Sequence, residues 1–127
     1  MKKFLSAILI VLGLMIFTGC GTGNIDYDLA SAGNQVTYTT VTNMEKNPKE
    51  YLNKSFRIKG KIKSNGKTYF YMTGTYDSCC VWNIEVRASS DDVAITTSSK
   101  NVTAIGTYKS SKVNGRTGYY LEISEFL

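Results

Sequence analysis

In Phe56-Arg57-Ile58-Lys59-Gly60-Lys61-Ile62-Lys63, apolar residues or glycine alternate with cations. Period two is the period of a strand, because successive side chains leave a pleated backbone on opposite sides. A helix would scatter the four cations around its circumference. The segment therefore reads as a strand with one buried face and one wet face, the pattern of an antiparallel sheet packed on one side. Partners for it follow in the chain. Asn65-Gly66 is a hairpin signal, because both positions accept positive φ, and Thr68 to Thr73 reads as the second strand. Cys80 to Arg87 is a third, with Trp82, Ile84 and Val86 on one face. Ala88 to Lys100 is polar and reads as a loop. A fourth strand runs from Asn101 to Lys109, Asn114-Gly115 makes a second tight turn, and Thr117 to Phe126 is the fifth strand, with Tyr119, Leu121 and Ile123 sharing a face.

These elements predict a mainly β fold. Gly60 and Gly106 stand where sharply bent strands turn corners, which favours a five-stranded OB-like barrel. A short N-terminal helix is expected in pieces across 38–52, with Val41 and Met44 ahead of Asn47-Pro48 and a new turn opened by Pro48. The alternative is an open five-stranded sheet with the helix capping one end. One domain suits 127 residues, and it is expected to span 38–127.

The first twenty residues do not belong to that domain. Lys2 and Lys3 precede an apolar run, Phe4 to Phe17, broken only by Ser6 and Gly13. Fourteen helical residues span about 21 Å, short of a hydrocarbon core of roughly 30 Å. The length suits the apolar part of a signal peptide. Phe17-Thr18-Gly19-Cys20 then places small side chains before a cysteine, which resembles the bacterial lipobox. Residues 1–19 are accordingly expected to be removed, with Cys20 lipidated and anchoring the chain to the extracytoplasmic face of the cell membrane. The formal net charge of the whole chain is +5, and it becomes +3 once Lys2 and Lys3 leave. Such a mild excess selects no partner by itself. Residues 20–37, rich in Gly, Ser and Asn, read as the lipidated cysteine and a flexible tether that would hold the domain about 20 Å from the surface.

Further short motifs occur inside the domain: Asn47-Pro48-x-x-Tyr51-Leu52-Asn53-Lys54, Arg57-Ile58-Lys59-Gly60, and Cys79-Cys80 followed by Ile84-Glu85-Val86. Together with the lipobox they resemble a group of small bacterial extracytoplasmic OB-like lipoproteins of unassigned function, over about residues 40–126. The resemblance implies an OB-like fold at the cell envelope. The chain departs from the group at Asn53, where glycine is common, and at Val81 and Trp82, where small residues often follow the cysteines.

Candidate sites are few. Beyond Cys20 the cysteines are Cys79 and Cys80, a candidate disulfide or thiol site. They could form a vicinal disulfide, offer two thiolates to a soft metal, or divide between core and loop. Without any histidine they do not complete a tetrahedral zinc site, and nothing in the spacing recruits Asp77 or Glu85, so neither metal nor cofactor is expected. Arg57, Lys59, Lys61 and Lys63 form a cationic stripe, with Lys67 beyond the turn and Tyr69, Tyr71 and Tyr76 close in sequence. From these, Arg57, Lys59, Lys61, Tyr69, Tyr71 and Trp82 make a candidate ligand face. Cations interleaved with aromatics on an OB barrel suit single-stranded nucleic acid, but an exported domain does not meet it. Anionic lipid, a wall polymer or an envelope protein is the expected partner. The plainer reading is a solvated face that keeps lysines outward for solubility.

No catalytic residue is expected. The chain lacks a G-x-S-x-G elbow, a phosphate-cradling glycine loop and any histidine relay. Asp91-Asp92 and Glu122/Glu125 read as exposed acids. The function these features predict is a lipid-anchored, non-catalytic binding module at the cell envelope. The alternative is a thiol- or metal-handling component that uses Cys79 and Cys80.

Overall fold

The computed structural model describes residues 24–66 and 69–127. The leader, the lipobox and Cys20 lie outside the described residues. In chain order the elements are β1 (Tyr27–Asp28), α1 (Asn34–Lys46), a 3-10 turn (Pro48–Glu50), β2 (Ser55–Ser64), β3 (Phe70–Tyr76), β4 (Cys80–Ala88), β5 (Ser98–Val113) and β6 (Arg116–Phe126). Five of the strands close on themselves in the order β2-β3-β4-β6-β5, with β5 returning to pair with β2. All contacts of this ring are antiparallel except β4–β6, which is parallel. The fold is mainly β, as expected, and the β2–β5 pairing excludes the open sheet. Among the described residues no helix is long and apolar enough to cross a membrane.

The period-two reading of β2 holds residue by residue: Phe56, Ile58 and Ile62 are buried inside the ring, while Lys59, Lys61 and Lys63 are exposed. From β4 come Trp82, Ile84 and Val86, and from β6 Leu121 and Ile123. Helix α1 lays Val41 and Met44 onto the same core, packing across β3 and β4. It stops where Pro48 cannot continue it, and the Asn47 N–H closes on the Asn43 carbonyl at 2.8 Å. The β5–β6 hairpin turns at Asn114-Gly115 with φ of 53° and 77°, the mirror-image turn that suits a twisted hairpin.

Three expectations are corrected. The described part of the supposed tether is folded. Leu29 and Thr37 are buried, and β1 pairs in parallel with the start of β2. Two hydrogen bonds clip this segment down. The Asp26 N–H donates to Ser55 Oγ (2.9 Å), and the Asp26 carboxylate accepts from the Ser55 N–H (2.8 Å). The fold thus takes in residues 24–37 and does not start at residue 38. Second, Asn65-Gly66 is not a two-residue turn. Ser64 pairs with Phe70, the Asn65 N–H donates to the Tyr69 carbonyl (3.1 Å), and only Gly66 of that dipeptide has positive φ. Third, Ser98 to Lys100 belong to β5 rather than to a loop, because Ser98 pairs with Ile62.

Candidate functional site

The outward side of β2 is the most distinctive surface of the ring. Alternation puts Lys59, Lys61 and Lys63 there about 7 Å apart. At that spacing in water each neighbouring pair repels by about 0.6 kcal/mol. Acids opposite them would relieve the repulsion, but the cross-strand partners are Thr103 for Lys59, Thr73 for Lys61 and Tyr71 for Lys63. Among the described residues the ion pairs are Arg57–Asp28 and Arg87–Glu85, and none of the three lysines enters one.

Two grooves flank this stripe. One, of about 310 Å³, runs between β2 and β3–β4, lined by Lys59, Lys61, Thr73, Thr75, Val81 and Asn101. The other, of about 510 Å³ and more open, lies toward β5, lined by Lys61, Lys63, Tyr71, Thr97, Ser98 and Ser99. A bulge accompanies them. Gly60 pairs with Val102 and Ile62 with Ser98, so residues 99–101 of β5 stand opposite Lys61 alone. Bulges bend a strand and re-aim its side chains. This one brings exposed Lys100 and Asn101 into the neighbourhood of Lys61.

Not every residue expected on the ligand face is there. Trp82 is 3% exposed, sealed in the core. Its ring lies where a Cβ on Gly60 or Gly74 would be, 2.9 Å and 2.6 Å from its atoms. The reason is parity, since Trp82 shares its side of β4 with Ile84 and Val86. Arg57 is also withdrawn: β1 lies beside it and Asp28 pairs with Nη1 at 3.4 Å. Tyr69 is half exposed in the β2–β3 connection, and Tyr71 stands between Lys63 and Glu85. Tyr76 faces Tyr38 of α1 at 6.0 Å between ring centroids, away from the lysines. Lys67 lies outside the described residues.

Cys79 and Cys80 are joined in a disulfide at the β3–β4 turn. Cys79 is exposed and Cys80 half-buried. Asp77 takes φ of 57° to make the turn, its carboxylate accepting from the Ser78 N–H at 2.9 Å. Among the described residues no group of three or more acidic, cysteine or histidine side chains could hold a metal ion. Asp91, Asp92 and Glu125 are exposed and Glu122 half-buried.

A cluster on β4 and β6 was not anticipated. Arg87 Nε donates to Glu85 at 2.6 Å, its Nη1 donates to Ser111 Oγ at 3.3 Å, and its guanidinium lies 4.1 Å over the Tyr120 ring. The sequence signal was present in Glu85 and Arg87, two apart on one strand face. Tyr120 and Ser111 reach them only through the parallel β4–β6 contact and the β5–β6 hairpin.

Two side chains have displaced acidities. The hydrogen bond from the Ser55 N–H holds the Asp26 carboxyl below the usual carboxylate range. Burial pushes the Tyr108 phenol up to about 12, helped by the nearby Tyr119 and Glu45. Tyr108 closes a row of aromatic rings: it sits 6.3 Å from Phe56 and 5.9 Å from Tyr119, and Phe56 stacks on Tyr27 at 4.9 Å. Neither group touches the grooves, so both serve the frame rather than the site.

No family model matches the chain, and neither the curated proteins nor the solved structures hold a match to it.

Proposed function

We propose that the chain is a membrane-anchored lipoprotein whose ring is an OB-like barrel, acting as a non-catalytic binding module at the cell envelope. The pairing order carries this reading. Five strands closed by β2–β5, with a single parallel contact between β4 and β6, are compatible with a small Greek-key barrel of the kind whose outer face and loops take up ligands. The grooved outer side of β2 and β3, with Lys59, Lys61 and Tyr71, is the binding face on this reading, while Tyr69 lines a separate groove with Glu85 and Arg87.

The anchor rests on Lys2, Lys3, the apolar run and Thr18-Gly19-Cys20. The Asn24 carbonyl accepts from Ser55 Oγ at 3.3 Å, so Cys20 is four chain steps, with three residues between, from the described fold. Fully extended those steps reach about 14 Å. On this reading the domain stands close against the membrane, with the start of β2 nearest the anchor.

Mass spectrometry of the native chain, isolated from cell envelopes, tests the anchor. The expected species begins at Cys20 and carries acyl chains, and Cys20→Ala leaves the leader attached and the chain without acyl groups. A native chain retaining residues 1–19 overturns that half of the reading. For the binding module, a photo-crosslinking amino acid at Tyr71 in living cells is expected to capture an envelope component, whereas the same group at buried Trp82 captures none. Equal absence of adducts at Tyr71 and Lys61 contradicts it.

A second reading rests on the Cys79–Cys80 disulfide, whose Cys79 half is exposed. A dithiol partner would reduce it, gaining its own disulfide as the two thiols form. Thiol titration of the native protein decides: a fraction of free Cys79 and Cys80 that follows the redox state of the medium favours the reading, and a bond that persists under mild thiol reductant removes it.

A further inference from the structure

We infer that the β2 face binds a linear phosphodiester polyanion, which lies in the grooves beside Lys59, Lys61 and Lys63; this inference rests on the binding-module reading above and names its ligand class. Three features of the surface converge on it. The lysines repeat at a regular interval along one strand, and their cross-strand neighbours are Thr103, Thr73 and Tyr71, none of them acidic. A fold that wanted only solubility could intersperse acids, which would remove the mutual repulsion. Here the charge is left uncompensated, and the bulge at 99–101 adds Lys100 to it.

The second feature is shape. A bilayer surface is broad and suits a flat or protruding face. The stripe is instead bordered by a concave channel of about 310 Å³ on the β3–β4 side and by a shallower, open depression of about 510 Å³ on the β5 side. A narrow chain fits such a channel and a sheet of headgroups does not. The third feature is the lining. Whereas the Thr73 and Ser98 hydroxyls already donate to the Trp82 and Lys100 carbonyls, Thr75, Thr97 and Ser99 present hydroxyls and Asn101 an amide. These donate to phosphate oxygens and accept from polyol hydroxyls, while lysine supplies the point charge. Tyr71, beside Lys63, adds an apolar surface for the carbon backbone of such a polymer.

The test uses the lipidated full chain in neutral detergent micelles, with poly(glycerol phosphate) and inorganic polyphosphate as probes. Dextran and vesicles of anionic phosphatidylglycerol form the comparison arms. Affinity is followed across salt concentration for the native chain and for Lys59→Gln, Lys61→Gln and Lys63→Gln added one at a time; far-UV circular dichroism checks that each variant is folded. The expected result is binding to both phosphate polymers whose log–log salt slope falls by about 0.7 with each lysine removed. Affinity at low salt drops about fivefold per charge. Polymer binding with an unchanged slope overturns the inference and leaves the binding-module reading standing. Capture by the anionic vesicles alone also overturns it, assigning the stripe to the membrane. Binding in no arm removes both the inference and its premise.

Discussion

The outward faces of β2 and β4 begin from the same pattern and end differently. Both strands bury every second residue, and both carry charge on the alternate positions. On β4 the charge is settled within the protein: Glu85 takes the Arg87 guanidinium, Tyr120 lies under it and Ser111 accepts from it. On β2 the three lysines meet only hydroxyl-bearing neighbours. A face that satisfies itself contributes to the fold and has little left to offer. A face that leaves like charges side by side, beside grooves, keeps its interaction energy for something outside. If the ring is an OB-like barrel as proposed, analogy with OB domains would choose its second and third strands as the binding surface. On the proposed reading, the charge distribution shifts that surface toward the first.

The comparison breaks most completely if the wall behind both faces is removed. The Trp82 side chain is on β4 and packs against Gly60 of β2 and Gly74 of β3. Trp82→Ala is expected to cost about 3–5 kcal/mol, read as a lowered denaturant midpoint, with both surfaces lost together. Gly60→Ala separates them. Its new methyl would sit 2.6 Å from the Thr73 carbonyl oxygen and 2.9 Å from the Trp82 ring, so β2 must shift at a cost of about 1–3 kcal/mol. Polyanion affinity should fall with that shift, while the Arg87–Tyr120 contact, followed by ring-current shifts, stays in place. If Gly60→Ala leaves both stability and affinity intact, the ring is looser than described.

Alkaline pH probes the frame that supports the β4–β6 side. Tyr108 is held neutral by burial, its acidity pushed up to about 12. A raised native value means that the folded state keeps its proton longer than the unfolded chain does. Its contribution is therefore complete below about pH 10 and is lost as pH rises through about 12. Ultraviolet titration should show one late tyrosine ionising together with unfolding, and Tyr108→Phe should remove that component. The smallest effect sharpens the comparison best. The Glu85–Arg87 pair is partly exposed, so Glu85→Gln should change stability by less than about 1 kcal/mol. It frees a cation, and the β4 face should then acquire weak, salt-sensitive polyanion binding that the native protein lacks there.

Much of this arrangement is legible in the sequence. Alternation in Phe56–Lys63 and in Cys80–Arg87 follows directly from strand geometry, and Asn114-Gly115 marks its turn. The N-terminal segment escaped because what orders it is not local: Asp26 is clipped to Ser55, and Tyr27 lies on Phe56, each 29 residues away. Its Gly-, Ser- and Asn-rich composition says only that it has no strong preference of its own. Trp82 belongs to the candidate ligand face as an aromatic near the cationic strand, but its parity with Ile84 and Val86 points it inward. Whether a lysine faces an acid or a threonine depends on register between strands distant in the chain. Spacing within one strand cannot supply it, so the contrast between β2 and β4 appears only in the folded ring.

The most direct test of that contrast is amide chemical-shift mapping of the lipidated full chain in neutral micelles as poly(glycerol phosphate) is added. The account predicts perturbations concentrated at Lys59 to Lys63 and Thr97 to Asn101, with the Glu85–Arg87 region unmoved. Perturbations centred on Arg87, Tyr120 and Arg116, with the lysine stripe silent, would contradict it.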